Sequence, residues 1–376
     1  MAGIYLHIPF CKQACYYCDF HFSINQQRKA DMVQAIAQEL KIQTDYLEDL
    51  PVDSIYFGGG TPSLLTEEEL QLLLYTINQY YAVTSASEIT LEANPDDLSP
   101  QKLKMLKAAG INRLSIGIQS FYEPHLRYLN RAHSADEAKV CVKRAQEAGF
   151  DNLSIDLIYA IPHPDHSVWQ ADLAMATKLN PRHISSYCLT IEEKTVFGRW
   201  LRHQKIPPVD ETFAAEQFEQ LVNSLATAGY EQYEVSNFCQ PQGESRHNSN
   251  YWKNVSYLGV GPGAHSFDRD SRQYNIANNT KYLKSLAELR IPYEREVLSR
   301  ADRINEHIMT GVRTKWGCDL TYLQRALGYD LMGEQRDYIE RLIADQKATL
   351  EGQHLVLTRA GKFLTDGIAA DFFVDL

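Results

Sequence analysis

Six times between residues 3 and 189, a short β-rich run is followed by an amphipathic helical pattern, at a spacing of about 35 residues. The β-rich runs are 3–8, 53–57, 88–93, 112–118, 152–159 and 183–189. The helical patterns lie near 28–47, 66–80, 99–109, 134–148, 166–179 and 210–228. Thr66 before Glu67-Glu68-Glu69, Ser99-Pro100, and Ser134 before Asp136-Glu137 are start signals, since a side-chain oxygen there accepts from amides that the first turn leaves free. Gly110, Gly149 and Gly229 follow three of these helices as C-caps. Six consecutive βα units specify a parallel sheet, and right-handed crossovers curl it into a partial (β/α)6 TIM-like barrel of the α/β class.

The unusual residues gather where these strands end. Strand two leads into Gly58-Gly59-Gly60-Thr61-Pro62, strand three into Glu92-Ala93-Asn94-Pro95, and strand four into Gly117-Ile118-Gln119-Ser120. Strand five carries Asp156 and leaves through Ala160-Ile161-Pro162, and strand six carries Tyr187. That face of a parallel barrel is where sites are built. Three glycines leaving a buried strand let backbone approach a ligand closely and offer amides to a carboxylate; a tight turn would need only one or two. A phosphate loop is excluded, because no Lys-Ser/Thr follows at the required spacing.

Strand one, Ile4-Tyr5-Leu6-His7-Ile8-Pro9-Phe10, runs into Cys11-Lys12-Gln13-Ala14-Cys15-Tyr16-Tyr17-Cys18. A CxxxCxxC spacing lets one loop present three thiolates to a small inorganic object. Thiolates suit iron–sulfur clusters or zinc. Zinc closed by thiolates normally draws its fourth ligand from a second close pair, and this chain has none; His21 or a distant thiol would have to serve. Chance clustering and redox thiols are the remaining readings. A cubane cluster held by three cysteines keeps one iron open, and that reading is preferred.

The bulk numbers fit. Of 376 residues, 44% are hydrophobic and 23% charged, with a formal charge of −11. That balance describes a globular protein and argues against a broad grip on nucleic acid or an anionic membrane. No apolar run reaches the roughly 18 residues that span a bilayer. The first residues lack the basic-then-apolar pattern of a secretory leader. Seven cysteines, three of them within eight residues, fit ligation in a reducing cytoplasm rather than disulfides. Cys141, Cys188, Cys239 and Cys318 are scattered and read as core thiols.

The rhythm stops near residue 229. Residues 230–238 read as a strand and 239–248 as a polar loop, followed by Tyr251-Trp252 and the glycine-rich 258–265. Beyond 300 come helices at 301–315, 319–327 and 334–347, a hairpin at 349–359 and a last helix at 361–373, a small winged-helix-like unit. Ten basic and twelve acidic residues leave it near neutral, which speaks against DNA readout. The expected division is therefore a barrel (1–235), an extension (236–299) and a C-terminal winged-helix-like domain (300–376).

Taken together, CxxxCxxC after strand one, GGGTP after strand two and six βα units resemble the radical S-adenosylmethionine (SAM) superfamily. The stretch Tyr5 to Cys11, the Ile89-to-Pro95 strand, Leu114 to Phe121 and Asn130-Arg131 resemble the oxygen-independent coproporphyrinogen III oxidase (HemN-like) family. Within it the chain is most similar to the HemW branch, the haem chaperones, over nearly its whole length. In the oxidases the third cysteine is followed by Gly-Cys; here Asp19-Phe20 follows. His247-Asn248-Ser249-Asn250-Tyr251-Trp252 matches the HNxxYW motif of the chaperone branch.

The resemblance implies that Cys11, Cys15 and Cys18 bind a [4Fe–4S] cluster whose open iron takes SAM. It implies SAM contacts at Tyr5, Gly59 and Glu92, and a second SAM at Tyr17, Gly60, Thr61, Gln119, Arg131, Asp156 and Cys188. For Arg131 and Asp156 a buried ion pair across the barrel is an equal reading. His247, Tyr251 and Trp252 are the candidates for haem contact, an imidazole beside flat apolar walls; the plain alternative is a histidine that caps a loop while the aromatics pack. His7, His21 and His265 are rivals for the iron. The implied function is haem binding and transfer to an acceptor protein, with a transient membrane or respiratory-protein association among the options and no nucleic acid. Two enzymatic readings stand beside it: radical decarboxylation of coproporphyrinogen III propionates, and radical SAM chemistry on an unrelated substrate.

Overall fold

A computed structural model describes residues 1–375. Six parallel strands form in chain order: β1 (Ala2–Ile8), β2 (Val52–Gly59), β3 (Val83–Ala93), β4 (Arg113–Gln119), β5 (Leu153–Tyr159) and β6 (His183–Cys188). Each is followed by the expected helices, and the start signals work as read. Thr66 and Ser134 form capping boxes with Glu69 and Glu137, while Ser99 accepts from the Lys102 amide. Gly110, Gly149 and Gly229 take φ of +97°, +81° and +85°, the left-handed conformation that ends a helix at glycine.

Period-2 alternation decides what each face of this sheet carries. Ile4, Leu6, Ile55, Phe57, Leu91, Leu114, Ile116, Ile155, Leu157 and Ile184 are buried in the main apolar core. The alternate positions turn inward: Tyr5 and His7, Ser54 and Tyr56, Thr90 and Glu92, Arg113 and Ser115, Ser154 and Asp156, His183 and Ser185. The barrel therefore has a greasy outer seam and a polar lumen.

Beyond residue 229 the structure departs from the expected single strand over 230–238. Two short strands form instead, β7 (Glu231–Gln232) and β8 (Asn237–Cys239), and β8 lies antiparallel to β6. The expected loop over 239–248 closes into a helix at Arg246–Trp252, with Ser245 as N-cap. β9 (Tyr257–Val260) then pairs parallel with β1, and β10 (His265–Phe267), β11 (Ser271–Asn275) and β12 (Tyr293–Val297) extend the sheet antiparallel. All twelve strands belong to one open sheet, in the order β12-β11-β10-β9-β1-β2-β3-β4-β5-β6-β8-β7.

From Arg300 onward the apolar side chains form their own core, including Ile304, Ile308, Val312, Leu323, Ile339, Leu355 and Phe372. Its strands are β13 (Cys318–Asp319), β14 (Ala348–Glu351) and β15 (His354–Leu357), with β15 in the middle. The expected last helix is broken into Arg359–Lys362 and Thr365–Asp371. Among the described residues, no helix is long and apolar enough to cross a membrane.

Candidate functional site

The cysteine loop is closed at its base. The Cys11 amide donates to Ser23 O (3.0 Å) and the Ser23 amide to Pro9 O (2.9 Å). Asn130 docks the loop from the other side: its Nδ2 donates to Ala14 O (2.7 Å), and it accepts from Gln13 Nε2 (2.9 Å). Asn130 holds φ at +57°, which asparagine tolerates better than most residues. The Tyr16 amide also reaches Leu129 O (3.1 Å). Local sequence gives no hint of this clamp, because its two halves lie more than a hundred residues apart.

Cys11, Cys15 and Cys18 are free thiols, partly exposed toward a cavity of 440 Å³. Among the described residues, no three His, Cys, Asp or Glu side chains converge on a point that could hold a single metal ion. Burial pushes the Cys11 thiol up to about 11 and Cys18 up to about 12. Any metal taken up by these thiols has to displace their protons. Arg131 Nη1 donates to Cys15 Sγ (3.3 Å), and the same guanidinium bonds Tyr17 OH (3.4 Å), Asn94 Oδ1 (2.6 Å) and Gly117 O (2.9 Å). Its buried Nε has no partner among the described residues. The donor set fits a thiolate-held cluster with an anionic ligand beside it.

The same cavity is lined by Tyr17, Gly59, Gly60, Thr61, Glu92, Gln119, Arg131, Asp156 and Cys188, so these singled-out residues meet in one place. Cys188 thus faces the cavity rather than the core; Cys141, Cys239 and Cys318 are buried as read. Tyr5 is not part of the lining. It lies one layer behind, stacked on Tyr56 and bonded to His7 Nδ1 (3.2 Å). Asn94, Ser115, Ser185, Tyr187 and Asn248 complete the polar wall.

The glycine run also has a packing task. A Cβ on Gly60 would lie 2.7 Å from the carbonyl oxygens of Ile8 and Phe10, and one on Gly59 2.5 Å from the His7 ring. The amides are also taken: Gly59 donates to Glu92 Oε2 (3.2 Å), Gly60 to Ile8 O (2.9 Å) and Thr61 to Phe10 O (2.7 Å). The glycines let β2 close against the strand that launches the cysteine loop.

Two carboxylates share the lumen. Burial raises Glu92 to about 7, against hydrogen bonds from Tyr56 OH (2.8 Å) and the Gly59 amide. Burial raises Asp156 to about 6, against the charge of Arg113 and the hydroxyls of Ser185 and Ser115. Arg131 makes no salt bridge to Asp156, so of the two readings given for these residues the ion pair across the barrel does not form.

Of the HNxxYW residues, Asn248 reaches the cavity wall, while His247, Tyr251 and Trp252 do not line it. His247 is 2% exposed, with Nδ1 2.9 Å from Ser54 Oγ and Nε2 2.9 Å from Tyr251 OH. Both ring nitrogens are engaged inside the protein, and burial with the charge of Arg113 lowers the imidazole to about 3. His247 is thus a doubly bonded histidine packed beneath β1 and β2. Trp252 is half-buried beside Arg313. Of the rivals, His7 bonds His21 O (2.8 Å) and is buried, His21 bonds Asn279 Oδ1 (2.7 Å), and His265 is exposed and stacked on Tyr274.

Comparison with known proteins agrees with this architecture. Residues 5–173 match the radical SAM superfamily, and residues 298–364 match the HemN C-terminal domain. The chain is 34% identical to "Heme chaperone HemW" of Bacillus subtilis (strain 168), covering 100% of both chains. It is 35% identical to the protein of the same name from Lactococcus lactis subsp. lactis, over 99% of this chain and 97% of that one. Its fold superposes on coproporphyrinogen III oxidase (HemN) from Escherichia coli with a TM-score of 0.85 at 22% identity, covering 100% of this chain and 91% of that one. At that identity the likeness establishes the fold. The full-length similarity establishes more: the chain belongs to the HemW family of the radical SAM superfamily.

Proposed function

We propose that this protein binds haem and passes it to an acceptor protein, on a scaffold that carries a [4Fe–4S] cluster and exchangeable SAM. The observation that carries the reading is similarity to proteins named haem chaperones along the entire chain. Superfamily membership implies the cluster and SAM, and the cavity supplies groups suited to both. Cys11, Cys15 and Cys18 would hold the cluster, and an iron with only three thiolates around it has room for the amino and carboxylate groups of SAM. Arg131, with an unpartnered buried Nε, suits a carboxylate. Glu92 and Asp156 suit ribose hydroxyls. Gln119 holds φ at +66° at the cavity wall, a strained conformation of the kind that gathers at binding sites.

The test is an anaerobic haem titration of the cluster-reconstituted protein, followed in the Soret region. Saturation near one haem per chain is expected, with transfer to an apo-haem-protein acceptor on mixing. Absence of saturable binding would overturn the chaperone reading. The same preparation, given dithionite, SAM and coproporphyrinogen III, is expected to form no decarboxylated product; product would make it an oxidase.

A further inference from the structure

The helix Arg246–Trp252 closes the barrel from below, and its tip enters the cavity. Its N-terminal amides at Arg246 and His247 donate to Glu88 Oε1 on β3 (2.8 and 3.3 Å). Arg246 Nη1 reaches Asp53 O (3.1 Å) and Ala86 O (2.7 Å), and Asn250 Nδ2 reaches Asp53 Oδ1 (3.1 Å). These anchors all lie at the start of β2 or in the first half of β3, opposite the cysteine face. From there Asn248 projects to the cavity wall. Its backbone amide is used by Ser245 Oγ, while its side-chain carboxamide makes no hydrogen bond among the described residues.

Beside it, His247 joins the cavity through a second route. Its ring lies against that of Tyr56, with centroids 5.1 Å apart and planes 27° from parallel. The Tyr56 hydroxyl donates to Glu92 Oε1 at 2.8 Å, and both Tyr56 and Glu92 line the cavity. Ser54 and Tyr251 fix the imidazole at its two nitrogens. The ring is therefore held against Tyr56, which also stacks on Tyr5.

The geometry points to the Arg246–Trp252 helix as the floor of the SAM site: Asn248 contacts the ligand through its free carboxamide, and His247 is a positioning residue that aims Tyr56 at Glu92. A carboxamide both donates and accepts, which suits the mixed hydrogen-bonding edge of a nucleoside. This rests on the reading that SAM occupies the cavity. It also changes what a His247 variant reports, since such a variant disturbs the SAM site in the absence of haem.

The experiment uses the full chain, cluster-reconstituted and haem-free, under anaerobic conditions. SAM affinity is measured by equilibrium dialysis, together with the SAM-induced change in the EPR spectrum of the reduced cluster. Iron content and melting temperature are recorded for every variant. Asn248→Ala and Tyr56→Phe are each expected to weaken SAM about tenfold at unchanged iron content, the scale of one hydrogen bond to a charged or polar ligand group. His247→Ala is expected to match Tyr56→Phe, and the double variant to be no weaker than the worse single, as for residues acting in series. A packing role alone would lower the melting temperature of His247→Ala while Asn248→Ala and Tyr56→Phe kept wild-type SAM affinity and EPR response; that result would overturn the inference while leaving the SAM reading intact. If wild-type protein binds no SAM, the reading of the cavity falls first and the inference with it.

Discussion

Arg131 Nη1 lies 3.3 Å from Cys15 Sγ, so the connection after β4 holds the middle thiol of the cysteine loop directly. The same side chain bonds Tyr17, Asn94 and Gly117, tying the loop to the ends of β3 and β4. Lysine keeps the charge but is a point donor without a planar fork. Arg131→Lys is expected to destabilise the chain by roughly 2–4 kcal/mol, because buried acceptors lose their donor. It should also release iron faster to a chelator. A thermal melt and a bathophenanthroline time course measure the two effects, and an unchanged iron-release rate would refute the link between Arg131 and the loop.

Glu92 gives a pH dependence with a definite sign. Its ordinary value of 4.5 is raised by burial to about 7 in the folded chain. Between these values the folded state holds a proton that the unfolded state has lost. The stabilisation is complete below pH 4.5 and disappears as pH rises through 7. Glu92→Gln carries no such penalty. In iron-free protein the variant should gain on wild type between pH 5 and pH 8, by roughly 2–3 kcal/mol, since each tenfold difference in proton affinity between folded and unfolded chains is worth about 1.4 kcal/mol. Urea unfolding at the two pH values reads the gap, and a gap that narrows would contradict the assignment.

Glu39 is a second buried carboxylate with a structural task. Fully buried on the helix Lys29–Ile42, it accepts from the Gly261 amide (2.8 Å), Asn275 Nδ2 (2.7 Å), Gln43 Nε2 (2.9 Å) and the Tyr282 hydroxyl. It thereby fastens the glycine-rich segment after β9 to the barrel. Glu39→Ala strands four donors and opens a hole, for an expected loss of about 3–5 kcal/mol. Limited proteolysis should then cut preferentially between 258 and 282, and intact resistance there would show that the segment is held by other means.

Gly60→Ala should act on the cysteine loop through backbone alone. The added methyl would lie 2.7 Å from the carbonyl oxygens of Ile8 and Phe10, neither of which can rotate away. β1 and the loop it launches would have to shift. Iron incorporated on reconstitution is expected to fall to less than half of wild type, while the far-ultraviolet circular dichroism stays the same. Full iron loading would mean that the loop tolerates the displacement.

Much of this arrangement is legible in the chain. The βα period and the caps at Thr66, Ser99 and Ser134 depend on neighbours within a few residues, so they can be read locally. The inward set is also written there, as alternation within strands: Arg113, Ser115 and Gly117 on one face against Leu114 and Ile116 on the other. Ser115 and Ser185 escape notice because serine in a strand carries no signal until the barrel is known to be polar inside. The helix at Arg246–Trp252 is not legible, since seven residues rich in Asn and Ser have no 3.6-residue apolar stripe. It is held instead by Glu88 and Asp53, more than 150 residues earlier. For the same reason, residue types at 247, 251 and 252 suggest a haem pocket, while nothing local tells that the His247 ring is bonded at both nitrogens by Ser54 and Tyr251.

The order of strands bears on when the protein can be made ready during synthesis. β1, which launches the cysteine loop, has β2 on one side and β9 on the other. β9 is translated some 250 residues after β1. Until then the first strand is an unpaired edge on a nascent chain, and long-range pairings of this kind are slow to form. The far edge is no different, because β6 waits for β8. A ribosome that stalls between 190 and 230 would leave six strands with both flanks open, a species prone to stick to its neighbours. The strand that launches the cysteine loop is thus flanked on both sides only after two thirds of the chain has been made.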